Sequence, residues 1–465
     1  MNQKSVVVSK VFRDRLLAEY PNLKNNIKYL RLAQHLLYSP FKDKENGGTI
    51  VSRDIIAWCL GCEASHARAK SFLDAFSRDI WSVEYSQYEY RDNKARTVIA
   101  MSVTQDILDA VNDDLLSRDN QVELVSGKTV NSVYKRQIDV QDKQQALMSM
   151  ALAKNETARD LLKYLSTHSF MTKIPDDLYD KAIELIIARE ISQDAKNRML
   201  LTLKNVSVQG KTYYKPVEKS CRLFPANDSI LSLPKEIRQL MCTGLIGADL
   251  RSCQMAVISK IWNIPSLYRF LSSGRSIWGL FFTDFHIVDK ENFKIKLKKC
   301  LYSIVFGMSR AHLVNGHPDK TYNWRGIDIE FEGHGVNSDI FLSHPMVKVI
   351  LSARNRMFAL IKKNRGAYDA WNEFIPLTDL VSESSIMAQV AQSYEMRLIE
   401  PVLRVCELTN EVQLVYYLFD GCYLHIRQGE RTDLWVERIQ DLVYDQACLL
   451  GIPTCLDVNF PPLYI

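Results

Sequence analysis

The chain has 465 residues, 47% of them hydrophobic, and 59 Lys and Arg against 54 Asp and Glu give a formal net charge of +5. That length and apolar content exclude a disordered chain and supply cores for about two to four domains. No run approaches the roughly 18 apolar residues that span a bilayer, the opening MNQKSVVVSKVFRDR lacks the apolar core of a secretion signal, and the small charge excess demands no polyanionic partner. A soluble, cytoplasmic protein with no membrane partner is expected. The ten cysteines are scattered; Cys59 and Cys62 are close, but no second CxxC or histidine pair completes a zinc site, so reduced thiols are expected.

Residues 1–110 read as one small domain. Helical periodicity runs from Asn22 to Leu37, and a turn at Gly47 and Gly48 leads to Ser52, an N-cap for a helix to Leu60 that Gly61 stops. A second helix from Ala64 to Phe76 precedes two alternating runs, Trp81 to Tyr90 and Arg96 to Val103, joined by the polar turn Arg91 to Lys94. Helix, turn, helix and hairpin is the order of a winged helix-turn-helix, with His66, Arg68 and Lys70 on or beside the helix that enters the major groove. The plainer reading is a mixed domain with a solvated basic face. From Gln141 to Lys204 the pattern is almost wholly helical, broken near Ser169 to Asp177. Lys196, Arg198 and Lys204 give its last helix a charged face of the ordinary solvated kind.

Three later segments carry the chemistry. In GLIGADLRSCQMAVI a short strand ends at Asp249 and a helix follows; a carboxylate there either binds a metal or caps the helix. In DKENFKIKLKKCLYSIVFGMS, Asp289 is an N-cap and Gly307 a stop, while Lys294, Lys298, Tyr302 and Phe306 recur every four residues along one side. Two cations followed by two aromatics suit a nucleoside triphosphate, the ammonium groups meeting phosphates and the rings meeting sugar and base. Phe293, Leu297, Leu301 and Ile304 form an inward stripe on a different side, so packing and binding are compatible. In VQLVYYLFDGCYLHI two apolar runs meet at Asp420 and Gly421, a hairpin signal whose flanks are too apolar to be exposed on both faces. Its tip carboxylate is placed to face Asp249 across a sheet.

In this order the segments resemble the three motifs of the family A (bacterial polymerase I-like) DNA polymerases, over about residues 215–465. Asp249 matches the motif A aspartate; Lys294, Lys298, Tyr302, Phe306 and Gly307 match motif B, with Met308 and Ser309 also fitting; Asp420 matches motif C. Arg222 matches an arginine that contacts the primer and minor groove, and Gln392 a glutamine that helps position the template. The resemblance implies an α+β, right-handed palm, fingers and thumb. Its parts would be a helical thumb-like region over 111–214, palm over 215–264 and 386–465, and fingers over 265–385, behind the small winged-helix-like domain. It implies extension of a DNA primer-template with dNTPs. Asp249, Leu250 and Asp420 would bind two Mg²⁺ ions about 3.5 to 4 Å apart, replaceable by Mn²⁺, and Lys298 would bind the triphosphate and protonate the leaving pyrophosphate.

Departures qualify the match. Gly421 stands where motif C usually has a second acid, and Phe419 where it has histidine. Gln254 stands where the family places a glutamate that blocks a ribose 2′ hydroxyl, which puts it in the nucleotide site and leaves sugar choice open. The N-terminal region is too short for a proofreading exonuclease. The SCR…SLPKEIR run and the DLRSCQMA form of motif A are closer to the short replication proteins of plasmids or phages, in which the first domain would recognise origin DNA. The alternatives are a single-subunit RNA polymerase or primase on the same palm, or a non-enzymatic DNA-binding initiator.

Overall fold

The computed structural model describes residues 6–39, 49–63, 65–80, 86–89, 97–101, 103–117, 120–129, 155–167, 174–209, 211–217, 220–317, 324–427 and 432–459. The chain forms two compact units. The first comprises Met1–Gln145, Ser169–Tyr213 and Pro225–Met241, the second Ala146–His168, Tyr214–Phe224 and Cys242–Ile465.

The first unit has strands β1 (Val7–Ser9), β2 (Thr49–Val51), β3 (Ser86–Glu89), β4 (Thr97–Met101) and β5 (Gln121–Glu123). β1 pairs with β5, and β2, β4 and β3 form an antiparallel sheet in that order. Around that sheet run the helices Ile27–Tyr38, Arg53–Leu60 and His66–Asp79. The Ser52 and Ser65 hydroxyls cap the last two by accepting from the amides of Ile55 and Arg68, and Gly61 closes the first of these at φ 71°. Leu32, Leu36, Leu73 and Phe76 are fully buried beneath them. The periodic run from Asn22 is not one helix: Pro21–Lys24 ends before Ile27–Tyr38 begins, because the Asn26 side chain accepts from the amides of Lys28 and Tyr29 and starts a new one. β2 is a strand that the sequence pattern did not show. The outer parts of the two expected hairpin runs, their turn from Arg91 to Lys94, and Gly47 and Gly48 lie outside the described residues.

In the expected helical region, 141–154 and 168–173 lie outside the described residues; the rest forms Glu156–Thr167, Asp176–Ile187 and Gln193–Gln209. Lys204 is not on a solvated face. It is 2% exposed and its Nζ donates to the main-chain oxygen (2.7 Å) and to Oδ2 (3.1 Å) of Asp114, itself 1% exposed. Asp114 Oδ1 accepts from the Ser9 amide at 2.7 Å. Packing of Gln193–Gln209 against the Gln105–Leu116 helix takes the ammonium out of water, and burial lowers its pKa against the pull of Asp114.

The second unit has strands β6 (Tyr214–Pro216), β7 (Leu223–Pro225), β8 (Ile246–Leu250), β9 (Gly366–Tyr368), β10 (Phe374–Pro376), β11 (Val412–Leu418), β12 (Gly421–Ile426) and β13 (Leu456–Asn459). Its central sheet has the order β11, β12, β8, β13, antiparallel throughout. Behind it runs the 26-residue helix Glu383–Leu408, which packs against β11 and against the helices Cys253–Ile261, Pro345–Asn364 and Thr432–Leu450. Fourteen of its residues are buried, so it serves as the spine of this unit. The segment after Asp289 is the helix Lys290–Val305, capped by Asp289, with Phe293, Leu297, Leu301 and Ile304 fully buried.

Candidate active site

Asp249 is neither the end of its strand nor a helix cap. β8 continues through Leu250, and the next helix starts at Cys253 behind Ser252. Strand alternation buries Ala248 and Leu250 and leaves Asp249 exposed. It pairs with Gly421 on one side and Asp457 on the other, so all three residues share one face. Asp457 is thus a second carboxylate on that face, clamped by the Arg251 guanidinium. Nothing in the sequence placed it there, since register between distant strands is not a local property.

The hairpin turn falls one residue earlier than the Asp-Gly pair predicts. Leu418 pairs with Gly421, making Phe419 and Asp420 the turn residues, and Phe419 takes the positive φ (60°) that glycine usually supplies in such turns. Gly421 is needed for another reason. A Cβ there would stand 2.7 Å from the Ala248 carbonyl oxygen and 2.9 Å from Asp249 Oδ1. A side chain at position 421 is therefore excluded by the close approach of β8 and the Asp249 carboxylate. Asp420 is held beside Asp249 by the Leu250 amide, which donates to the Asp420 carbonyl at 2.8 Å. The Leu250 side chain is buried, so as a ligand it has only its main-chain oxygen to offer. Burial raises the Asp420 pKa, opposed by Arg222, by its own main-chain hydrogen bond and by Lys298.

The bend that carries Arg222 meets the spine helix that carries Gln392. Ser220 Oγ contacts Gln392 Oε1 at 2.6 Å, and the Arg222 Nε donates to Glu395 Oε1 at 2.8 Å while Nη2 donates to Oε2. The guanidinium lies 4.7 Å over the Phe419 ring, which also packs on Phe224. Phe419, placed by its left-handed backbone, is thus the platform for Arg222. Gln254 is buried, and its Nε2 donates to Glu395 Oε2. Glu395 is fully buried; desolvation pushes its pKa up to about 7, against the opposing pull of Arg222. Sequence reasoning missed Glu395 altogether, because an isolated acid in an amphipathic helix carries no sign of its partners.

On the Lys290–Val305 helix, Lys298 is exposed and Lys294 partly so. Lys298 Nζ lies 5.4 Å from the centre of the Trp278 ring, and Tyr302 packs edgewise on Trp278 and on Phe306. Trp278 is a further residue that the sequence pattern did not single out. Burial, then the negative charge of Asp420, pushes the Tyr302 hydroxyl pKa up; Asp249 and Glu395 add to the effect. Tyr302 thus sits within electrostatic reach of all three acids. Past Gly307, a groove of about 860 Å³ is lined by Arg310, Lys348 and Arg356 with Asp339. In the first unit, Arg68 and Lys70 are exposed on His66–Asp79.

Among the described residues no group of three or more His, Cys, Asp or Glu side chains is arranged to hold a metal ion, and none of the ten cysteines forms a disulfide. No described helix is long and apolar enough to cross a membrane. The chain is similar to the solved POL domain of Pol1 from M. smegmatis, in complex with DNA primer-template and dNTP. The TM-score is 0.41 and the identity 13%, over 93% of this chain and 80% of that one. No protein-family model and no curated protein matches the sequence.

Proposed function

We propose that the chain is a template-directed DNA polymerase that extends a primer 3′ end with dNTPs. The observation that carries this reading is the pairing of β8 with β12. It brings Asp249 and Asp420 to one end of a buried sheet, with Lys298 near enough to lower the Asp420 pKa. Two carboxylates and the Leu250 main-chain oxygen are hard donors that fit Mg²⁺, which takes one or two protein carboxylates and leaves its other positions to water and substrate phosphates. The lack of a side chain at Gly421 fits the same use, because a Cβ there would stand 2.9 Å from Asp249 Oδ1 and crowd that carboxylate. Bound there, a pair of Mg²⁺ ions, or Mn²⁺ in their place, supplies the positive charge that favours a primer alkoxide and a leaving pyrophosphate.

The chain's own residues do the rest. Lys294 and Lys298 receive the triphosphate, and Lys298 donates a proton to the departing pyrophosphate. Tyr302 and Phe306 bound the sugar and base, Arg222 and Gln392 meet primer and template, and the cations of the Arg310, Lys348, Arg356 groove receive template phosphates. In this reading the central sheet is a palm, residues 265–385 are fingers and the helices of 111–214 a thumb. The helix, strand, helix, helix and hairpin of the first unit is a winged helix that binds duplex DNA through Arg68 and Lys70. Its place is plasmid or phage replication, without proofreading.

Asp249→Ala and Asp420→Ala should each abolish Mg²⁺-dependent incorporation on a labelled primer-template while the circular dichroism spectrum and DNA affinity are retained. Incorporation at the parental rate in both variants would refute the site. Gln254 favours a second reading, an RNA polymerase or primase; strong preference for rNTPs over dNTPs in the same assay would select it.

A further inference from the structure

Asp249 has an asymmetric setting on its sheet face. On the β12 side its neighbour is Gly421, where no side chain fits; on the β13 side its neighbour is Asp457. Directly paired residues in an antiparallel sheet hold their Cβ atoms about 4.5 to 5.5 Å apart, so a second carboxylate stands next to the one assigned above to Mg²⁺. A third charge joins them. Arg251 follows Asp249 by two residues, and its guanidinium meets Asp457: Nε donates to Oδ1 and Oδ2 at 3.1 Å each, and Nη2 donates to Oδ1. The main chain of Arg251 is fixed as well, its amide donating to the Cys455 carbonyl at 2.9 Å and its carbonyl accepting from Thr454 Oγ1 at 2.8 Å. The side chain alone is left to choose a partner.

Two carboxylates lie within its reach. Two residues of strand span about 6.8 Å, a distance that an arginine side chain bridges, so Asp249 and Asp457 compete for one guanidinium. Among the described residues the ion pair that Arg251 makes is with Asp457. Stability does not account for it: the two side chains are 49% and 41% exposed, and ion pairs so open to water add little to folding. Its effect on local charge is larger. With Arg251 on Asp457 the two charges cancel, and Asp249 turns its full charge toward a cation. With Arg251 on Asp249, a metal ion would first have to displace a guanidinium from the carboxylate it needs.

Resting on the polymerase reading above, we infer that Asp457 is a positioning residue that holds the Arg251 guanidinium off Asp249 and so keeps Asp249 open to Mg²⁺. Asp457 is not itself a ligand in this arrangement, because both of its oxygens accept from Arg251. Loss of an outer partner typically weakens metal affinity by about 10- to 100-fold, and screening of so exposed a pair by water and salt sets the expectation at the lower end.

The test is Mn²⁺ binding to the full chain, followed by electron paramagnetic resonance, together with the Mg²⁺ concentration that gives half-maximal primer extension. Asp457→Asn releases Arg251 and should weaken Mn²⁺ binding about tenfold and raise the half-maximal Mg²⁺ concentration by the same factor. At saturating Mg²⁺ its kcat should stay within about twofold of the parent, which damage to the fold would not allow. Adding Arg251→Gln to Asp457→Asn removes the competing cation and should bring both quantities back to within about twofold of parental values. Parental Mn²⁺ affinity in Asp457→Asn overturns the inference. So does a loss in Asp457→Asn that persists in the double variant, the result expected of a direct ligand or of a structural role. Mn²⁺ binding that neither Asp249→Ala nor Asp420→Ala weakens would overturn the polymerase reading itself, a result distinct from both.

Discussion

Replacing Gly421 with alanine probes the closest contact in the candidate site. The new Cβ would lie 2.7 Å from the Ala248 carbonyl oxygen, 2.9 Å from Asp249 Oδ1 and 3.5 Å from Asp249 Cα. The first of these is backbone in a paired strand, so relief requires β8 and β12 to separate or the Asp249 carboxylate to move. Overpacking of this kind costs about 1 to 3 kcal/mol. Against it stands the gain from restricting the unfolded chain, about 0.4 to 1 kcal/mol for Gly→Ala where the backbone is compatible. The net expectation is a loss of about 1 to 2 kcal/mol. Activity should suffer more than stability, because moving a catalytic group by about 1 Å costs on the order of 10²-fold. Urea denaturation would measure the first quantity and single-turnover primer extension in Mg²⁺ the second. A Gly421→Ala protein that is more stable than its parent and extends primers at the parental rate would show that the two strands do not approach as described.

Three further outcomes are expected. Glu395 has a folded pKa of about 7 against its ordinary 4.5. Folding therefore favours its protonated form: its stability contribution is fully present below about pH 4.5 and is lost as pH rises to about 7, by roughly 3 kcal/mol in all. Glu395→Gln should flatten urea-measured stability between pH 5 and pH 8, and an unchanged slope would remove Glu395 as its source. Lys204→Met leaves Asp114 buried without its cation and should destabilise the chain by about 3 to 5 kcal/mol, partly restored by Asp114→Asn in the same molecule; a loss below about 1 kcal/mol would mean that the pair is solvated. Arg68→Ala with Lys70→Ala should weaken duplex binding and lower the slope of log affinity against log salt by about two units, measured by fluorescence anisotropy; an unchanged slope would take this helix off the phosphates.

What was legible in the sequence was what local periodicity encodes. The Lys294 to Phe306 stripe and the inward Phe293 to Ile304 stripe follow from 3.6 residues per turn, and both lie on one helix with Asp289 as its cap. Asp249 and Asp420 were visible as residues; the hairpin signal put Asp420 at the tip, where it is, while the local context of Asp249 misdescribed it as a strand end or a cap. The first is inside a strand and the second is in the turn itself, because pairing with β12 and β13 extends β8 and the Leu418 to Gly421 register fixes the hairpin. Lys204 shows the same limit in the other unit: a charge at a solvent-like position in the pattern meets Asp114 only after the helices pack. Glu395 was illegible because its three donors come from segments that precede it by more than a hundred residues. Pairwise convergence of that kind leaves no trace in composition or spacing.

The spine helix Glu383–Leu408 acts as a ruler. Gln392 and Glu395, three residues apart, address Ser220 and Arg222, two residues apart in a bend before β7, so a helical rise of about 4.5 Å is matched to a short non-helical stretch. Substitutions along the exposed side of the helix leave that match intact. A one-residue insertion or deletion between Ser385 and Gln392 would rotate everything beyond it by about 100°, carrying both anchors off the segment at once. Length variation among natural versions of this protein should therefore collect in the loops at either end of the helix and be absent from this stretch of it.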